Sequence, residues 1–245
     1  MLHRFTFRAM AAENEVQVHA GDEALAETIA NAAIAEVKRI EAKYSRYLAD
    51  SVVSRINAAA GADAVAVDEE TMALLAFADA CFRQSDGLFD ATSGVLRRAW
   101  NFKEAHVPWQ SELDALLPLV GWQNVEVSDA QVRLAKPGMQ LDFGGFGKEY
   151  AVDRAARVMR ERGAESAMVN LAGDLAILGP KPMAHRGAWA FDIRASKASC
   201  SPRFPCRRAR SRQAGITSGS SKWTASAIAT SWIRARAARR GDCDR

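Results

Sequence analysis

Three glycines in four positions, Gly144, Gly145 and Gly147, separate Leu141-Asp142-Phe143 from a segment with helical spacing. That order predicts a short strand, a sharp turn and then a helix through Arg162. Glycine lacks Cβ, so the backbone can turn tightly and approach a ligand closely. The helix is expected to bury Tyr150, Ala151, Ala155, Val158 and Met159. Its N-terminus offers free N–H groups and the positive end of a dipole, which suits a phosphate or pyrophosphate. Asp142, just ahead of the turn, suits a ribose or ring hydroxyl, a heteroaromatic N–H, or a metal held by phosphates. The plainer alternative is a tight turn with no ligand. Neither common phosphate template is matched: G-x-G-x-x-G is absent, and Lys148 is followed by Glu149, not by the Ser or Thr of a P-loop.

A length of 245 residues allows one large domain or two small ones. A hydrophobic fraction of 49% and a charged fraction of 25% are those of a globular chain. No apolar run is long enough to span a membrane. The start, MLHRFTFRAMAAENEV, lacks the apolar core and cleavage site of an export signal. A cytoplasmic protein is therefore expected, or a periplasmic one if an export signal precedes this sequence. The net charge of +4 is unevenly spread. Residues 197–245 hold twelve Lys/Arg and two Asp, leaving 21 basic and 27 acidic residues in the remainder. Three of the four cysteines also lie in that tail, while Cys81 reads as core. This is neither a disulfide framework nor a zinc spacing.

Along the chain, Glu15–His19 reads as a strand. Asp22–Tyr47 reads as an amphipathic helix with a stripe of Leu25, Ile29, Ala33, Val37, Ile40 and Tyr44. Residues 45–61 break the pattern; Tyr47 and Ser54 could touch a ligand, or Ser51 and Ser54 could simply cap turns. Ala64–Val67 is a short strand, and Asp68 caps a helix to about Gln84 that buries Met72, Leu75, Ala76 and Phe82. Residues 85–102 offer the oxygens of Asp90 and Thr92 and the rings of Phe89 and Trp100, a combination that suits a flat heteroaromatic ligand. The alternative there is a loop with two core anchors. A short helix over 110–118, a hairpin of Asn124–Val127 with Gln131–Ala135, and strands at Ala167–Leu171, just after it, and at Ala188–Arg194 complete the pattern. The fold class expected is α+β with a mixed or antiparallel sheet.

Four separated motifs now resemble one family. They are Tyr47-x-x-x-Ser51-x-x-Ser54-Arg55-x-Asn57, Asp86-Gly87-x-Phe89-Asp90-x-Thr92-x-Gly94 with Trp100, Leu141 to Lys148, and Asn170-x-x-Gly173-Asp174. In this order they resemble the ApbE family of FAD:protein FMN transferases, over about Met10 to Arg194. The resemblance implies a T-fold-like ApbE domain that cleaves FAD at its pyrophosphate. It also implies transfer of FMN to a Ser or Thr hydroxyl of an acceptor flavoprotein, release of AMP, and dependence on Mg²⁺. By motif, Met10, Tyr47, Leu88, Phe89, Asp90, Asp142 and Lys148 fall on FAD contacts. Gly145 falls on a carbonyl that helps bind the metal. An alternative function is a non-catalytic flavin-binding module; nucleic acid is not an expected partner.

Two residues depart from the family's pattern inside the body: Glu149 and Ala172 stand where glycine is usual. The larger departure is in the tail. The family continues with a T-S-G motif, an H-x-x-D-P-x-T-G motif with a His proposed as base, and a late Asp and Thr for the metal. These are expected to be missing, because residues 197–245 have no regular period. Residues 1–196 thus read as an incomplete ApbE-like FAD-binding domain, and 197–245 as a disordered tail translated in a shifted frame. Trp is encoded by TGG alone. Trp232-Ile233 and Trp223-Thr224 therefore both contain an Asp codon when read one base earlier. The remaining residues of H-I-L-D-P-R-T-G are reachable with permitted codons. The slip is expected between about Arg194 and Lys197.

Overall fold

The computed structural model describes residues 1–100 and 108–179. Its elements run β1 (Leu2–Ala9), β2 (Ala12–His19), α1 (Glu23–Tyr44), α2 (Val52–Ala58), β3 (Val65–Ala66) and α3 (Glu69–Gln84). There follow α4 (Gln110–Leu116), β4 (Val125–Ser128), β5 (Gln131–Leu134), α5 (Gly147–Glu161), β6 (Ala167–Leu171) and β7 (Asp174–Leu178). Residues 93–98 form a 3-10 turn. The strands expected at Ala188–Arg194 and the tail lie outside the described residues.

Among the described residues all the strand pairs are antiparallel. One sheet has the order β1-β2-β6-β7 and the other β3-β5-β4. Alternation decides which face of the larger sheet is covered. Val16 and Val18 on β2 pair across with Val169 and Ala167 on β6, and all four are fully buried. Helices α1 and α5 pack on that face and on each other. The buried stripe of α1 is Ala26, Ile29, Ala30, Ala33, Val37, Ile40 and Tyr44. Leu25, expected in it, is 48% exposed, because the helix turns Ala26 inward instead. In α3 the buried positions are Thr71, Leu74, Leu75, Ala78 and Cys81; Ala76 faces out, while Met72 and Phe82 are half-buried. In α5 they are Ala151, Val152, Ala155, Ala156 and Met159, while Tyr150 and Val158 are half-buried. Truncating a fully buried Ile29 or Ile40 to alanine would cost about 2–5 kcal/mol.

Caps set several boundaries. Asp22 accepts from the Ala24 N–H and starts α1; Asp68 accepts from the Thr71 N–H and starts α3. Ser51 accepts from the Ser54 N–H at 3.0 Å and starts α2, a helix within the stretch read as irregular. Strand β1 was not expected, although Phe5, Phe7 and Ala9 alternate onto the covered face.

Residues 141–143 do not join a sheet. The Asn57 side chain takes the place of a neighbouring strand: its Nδ2 donates to the Leu141 carbonyl at 3.0 Å, and its Oδ1 accepts from the Leu141 N–H at 2.6 Å. The expected short strand is thus an extended segment pinned by one amide.

The turn between β6 and β7 holds Ala172 at φ 55°. A left-handed conformation costs an L-residue about 1–2 kcal/mol. Ala172→Gly is expected to raise the thermal midpoint by a few degrees. A melting curve no higher than that of the unaltered chain would refute this.

Candidate functional site

The three loop motifs converge on Asp142. Its N–H donates to the Ala91 carbonyl at 2.8 Å, which ties the glycine turn to the 86–94 loop. Its Oδ1 accepts from the Gly144 N–H at 2.8 Å, and its Oδ2 pairs with Arg46 at 2.8 Å. Arg46 sits beside Tyr47, so the 45–57 segment meets the same carboxylate. Phe89 closes over the turn from the other side: a Cβ on Gly145 would lie 2.7 Å from its ring edge. Phe146 then continues a row of rings, 6.2 Å from Phe89, 5.2 Å from Phe143 and 5.1 Å from Phe77. Gly144 and Gly145 remain exposed, so the backbone at the head of α5 is open to a ligand.

The candidate residues fall into different physical settings. Tyr47 is 70% exposed, with the guanidinium groups of Arg46 and Arg97 each 5.8 Å from its ring centre. Lys148 is half-buried in the first turn of α5, where it can point a charge at a phosphate beside the helix N-terminus. Leu88 and Phe89 follow two left-handed residues, Asp86 and Gly87, that turn the chain out of α3. The Ser85 hydroxyl accepts from the Phe89 N–H at 2.8 Å and fixes that exit.

Asp90 is occupied by its own chain. Oδ1 accepts from the Thr92 N–H at 2.7 Å and hydroxyl at 2.6 Å, and Oδ2 from the Trp122 N–H at 3.0 Å. The Thr92 hydroxyl in turn accepts from the Gly121 N–H at 2.7 Å. This carboxylate shapes the loop that carries Leu88 and Phe89. Met10 lies at the β1–β2 tip, where its N–H donates to Glu41 on α1 at 2.6 Å.

Sequence reasoning missed Arg46, although it stands next to Tyr47, because a single arginine in a loop carries no periodic signal. It also missed a charged web that anchors α5. The Glu70 carboxylate accepts from Arg39 at 2.7 and 2.9 Å, from Lys43 at 2.5 Å and from the Tyr150 hydroxyl at 2.6 Å. Glu36 accepts from Arg39 and from Arg154 of α5. Tyr150 lies two residues after Lys148, so this web fixes the start of α5.

Arg39 above all, then Lys43 and Tyr150 against the cost of burial, hold the Glu70 carboxyl well below the usual carboxylate range. Burial works against ionisation of Asp68, but hydrogen bonds from Lys43 and Thr71 outweigh it and hold it down to about 2. Groups depressed in this way stabilise the fold above their ordinary values of 4.5 and 3.8. That stability is lost as the pH falls through the folded values. Burial pushes Glu149 and Asp153 the other way, so those two favour the fold in acid. The thermal midpoint of Glu70→Gln is therefore expected to fall less than that of the unaltered chain between about pH 5 and about pH 2. Parallel curves would contradict this role for Glu70.

Among the described residues, no three His, Cys, Asp or Glu side chains come together as a metal cage. No such cage surrounds the Gly145 carbonyl among the described residues. No helix of the described residues is long and apolar enough to cross a membrane.

Comparison with known proteins places these features in one group. The pattern of the ApbE family matches residues 10–237. A Klebsiella pneumoniae protein named FAD:protein FMN transferase is 32% identical over 168 residues, covering 67% of this chain and 52% of that protein. A Treponema pallidum protein of the same name is 31% identical over 160 residues, covering 59% and 44%. The chain thus spans about half the length of the curated relatives it matches. The crystal structure of the ApbE protein from Thermotoga maritima superposes with a TM-score of 0.67 at 33% identity, over 74% of this chain and 60% of that one. The apo flavinyl transferase ApbE of Pseudomonas stutzeri gives 0.66 at 27% identity, over the same shares. The family match runs past residue 196, and Thr217-Ser218-Gly219 reads T-S-G in the frame as written. That corrects the expectation that every later motif is missing. An α+β fold of antiparallel sheets, the glycine turn at the head of α5 and a match over most of the sequence make this chain a member of the ApbE family.

Proposed function

We propose that this chain carries the FAD-binding part of an FAD:protein FMN transferase. In the reaction, the acceptor's Ser or Thr hydroxyl oxygen forms a bond to the FMN phosphorus. The bond from that phosphorus to the AMP phosphate breaks, and the hydroxyl proton leaves with the AMP side. The observation that carries this reading is the convergence of loops 45–57, 86–94 and 141–148 on Asp142. Tyr47, Leu88, Phe89 and Asp142 would face the flavin nucleotide, and Lys148 with the head of α5 its phosphates. Met10 and Asp90 would join them as FAD contacts, Asp90 while also shaping its own loop. Mg²⁺ would supply charge neutralisation on the pyrophosphate. Its ligands besides Gly145 would come from beyond residue 196.

The frame of the tail decides activity. As written, residues 197–245 lack the H-x-x-D-P-x-T-G run, and we infer that a shifted frame has replaced it. Leu175 and Ile177 are 41% and 40% exposed on β7, which pairs only with β6 among the described residues. The chain as written is therefore expected to bind FAD, to transfer little or no FMN and to aggregate. Titrating it with FAD while following flavin fluorescence tests the binding half. Saturable quenching reversed by AMP supports the reading; no quenching at any FAD concentration rejects it.

A further inference from the structure

Arg46 lies outside every position assigned to FAD, yet its guanidinium joins three segments of the site. Nη1 donates to Asp142 Oδ2 at 2.8 Å and to the Gly94 carbonyl at 3.0 Å, and Nη2 donates to Gln140 Oε1 at 3.1 Å. The Arg46 and Asp142 side chains are only 15% and 20% exposed. With Oδ1 of Asp142 already held by the Gly144 N–H, both carboxylate oxygens are tied. Each keeps a second lone pair for a ligand. Space around the pair is also closed. A Cβ on Gly94 would lie 2.6 Å from Asp142 Cβ and 2.9 Å from Arg46 Nη1.

We propose that Arg46 is a positioning residue for FAD that acts through Asp142, locking the rotamer in which that carboxylate meets the ligand. The inference rests on the FAD reading of Asp142. A guanidinium suits the task because its planar fork serves Asp142, Gly94 and Gln140 at once, which an ammonium cannot do. Two consequences separate this role from a general anion-binding one. Removing Arg46 should matter only while Asp142 is present. Displacing the pair without deleting either charge should have the same effect as removing Arg46.

The test is a double-mutant cycle on the 245-residue chain, with FAD dissociation constants from flavin fluorescence and thermal midpoints as a check of folding. Arg46→Gln and Asp142→Asn are each expected to weaken FAD about tenfold. The double variant should be no weaker than Asp142→Asn alone. Arg46→Lys, which spares the charge and serves as the second variant if Arg46→Gln does not fold, should recover only part of the affinity. Gly94→Ala should also weaken FAD, by wedging the pair apart. Losses that multiply in the double variant would overturn the proposal, and so would a folded Gly94→Ala or Arg46→Lys protein with unchanged affinity. If Arg46→Gln weakens FAD but Asp142→Asn does not, this inference falls and FAD binding stands. If the unaltered chain does not bind FAD, the underlying reading falls and takes this one with it.

Discussion

Replacing Asp142 by alanine is expected to weaken FAD binding about 10- to 100-fold. A hydrogen bond from a ligand to a carboxylate is worth about 1.5–3 kcal/mol, and each 1.4 kcal/mol is about a factor of ten. The substitution also leaves the mostly buried Arg46 guanidinium facing an unpaired space, which raises the local cost further. The fold should survive. The Asp142 N–H keeps its bond to the Ala91 carbonyl, and Leu141 stays clamped by Asn57. Flavin titration alongside a melting curve checks both statements. A folded Asp142→Ala protein with unchanged affinity would reject the assignment of this carboxylate to the ligand.

Restoring the tail to the family's frame is expected to raise the rate of FMN transfer at least about 10²–10⁴-fold, the usual contribution of a positioned general base. The family's late Asp and Thr would return with that frame. A hard divalent cation wants near-octahedral oxygen coordination. The described residues offer it no cluster of three carboxylate, imidazole or thiolate groups, so the restored segment would have to complete its coordination at the pyrophosphate. The comparison is between the two chains, given the same FAD, Mg²⁺ and acceptor, scored by flavin fluorescence that stays with the denatured acceptor. Equal rates would mean that the frame of residues 197–245 has no bearing on the chemistry.

The glycine turn, α1, α3, α5 and the β4–β5 hairpin were legible because their signals are local: caps such as Asp22 and Asp68, helical stripes, and turn residues. Leu25 and Ala76 were misplaced because an apolar side chain at helical spacing does not reveal which flank of the stripe meets the sheet. The pairing of Leu141 with Asn57 bridges 84 residues of sequence, and Arg46 with Asp142 bridges 96. No short-range pattern encodes such contacts. Asp90 shows how long-range contacts add to a local motif: besides Thr92, two residues away, its carboxylate accepts from the Trp122 N–H, 32 residues on.

The most direct test of the account is the chemical identity of the product. The frame-restored chain is incubated with FAD, Mg²⁺ and an acceptor flavoprotein, and the acceptor is then denatured and weighed by mass spectrometry while free AMP is measured. The account predicts an acceptor heavier by one phosphoester-linked FMN, with one AMP released for each FMN attached. Flavin that washes away on denaturation, an adduct carrying the whole of FAD, or an unmodified acceptor with no AMP would contradict it.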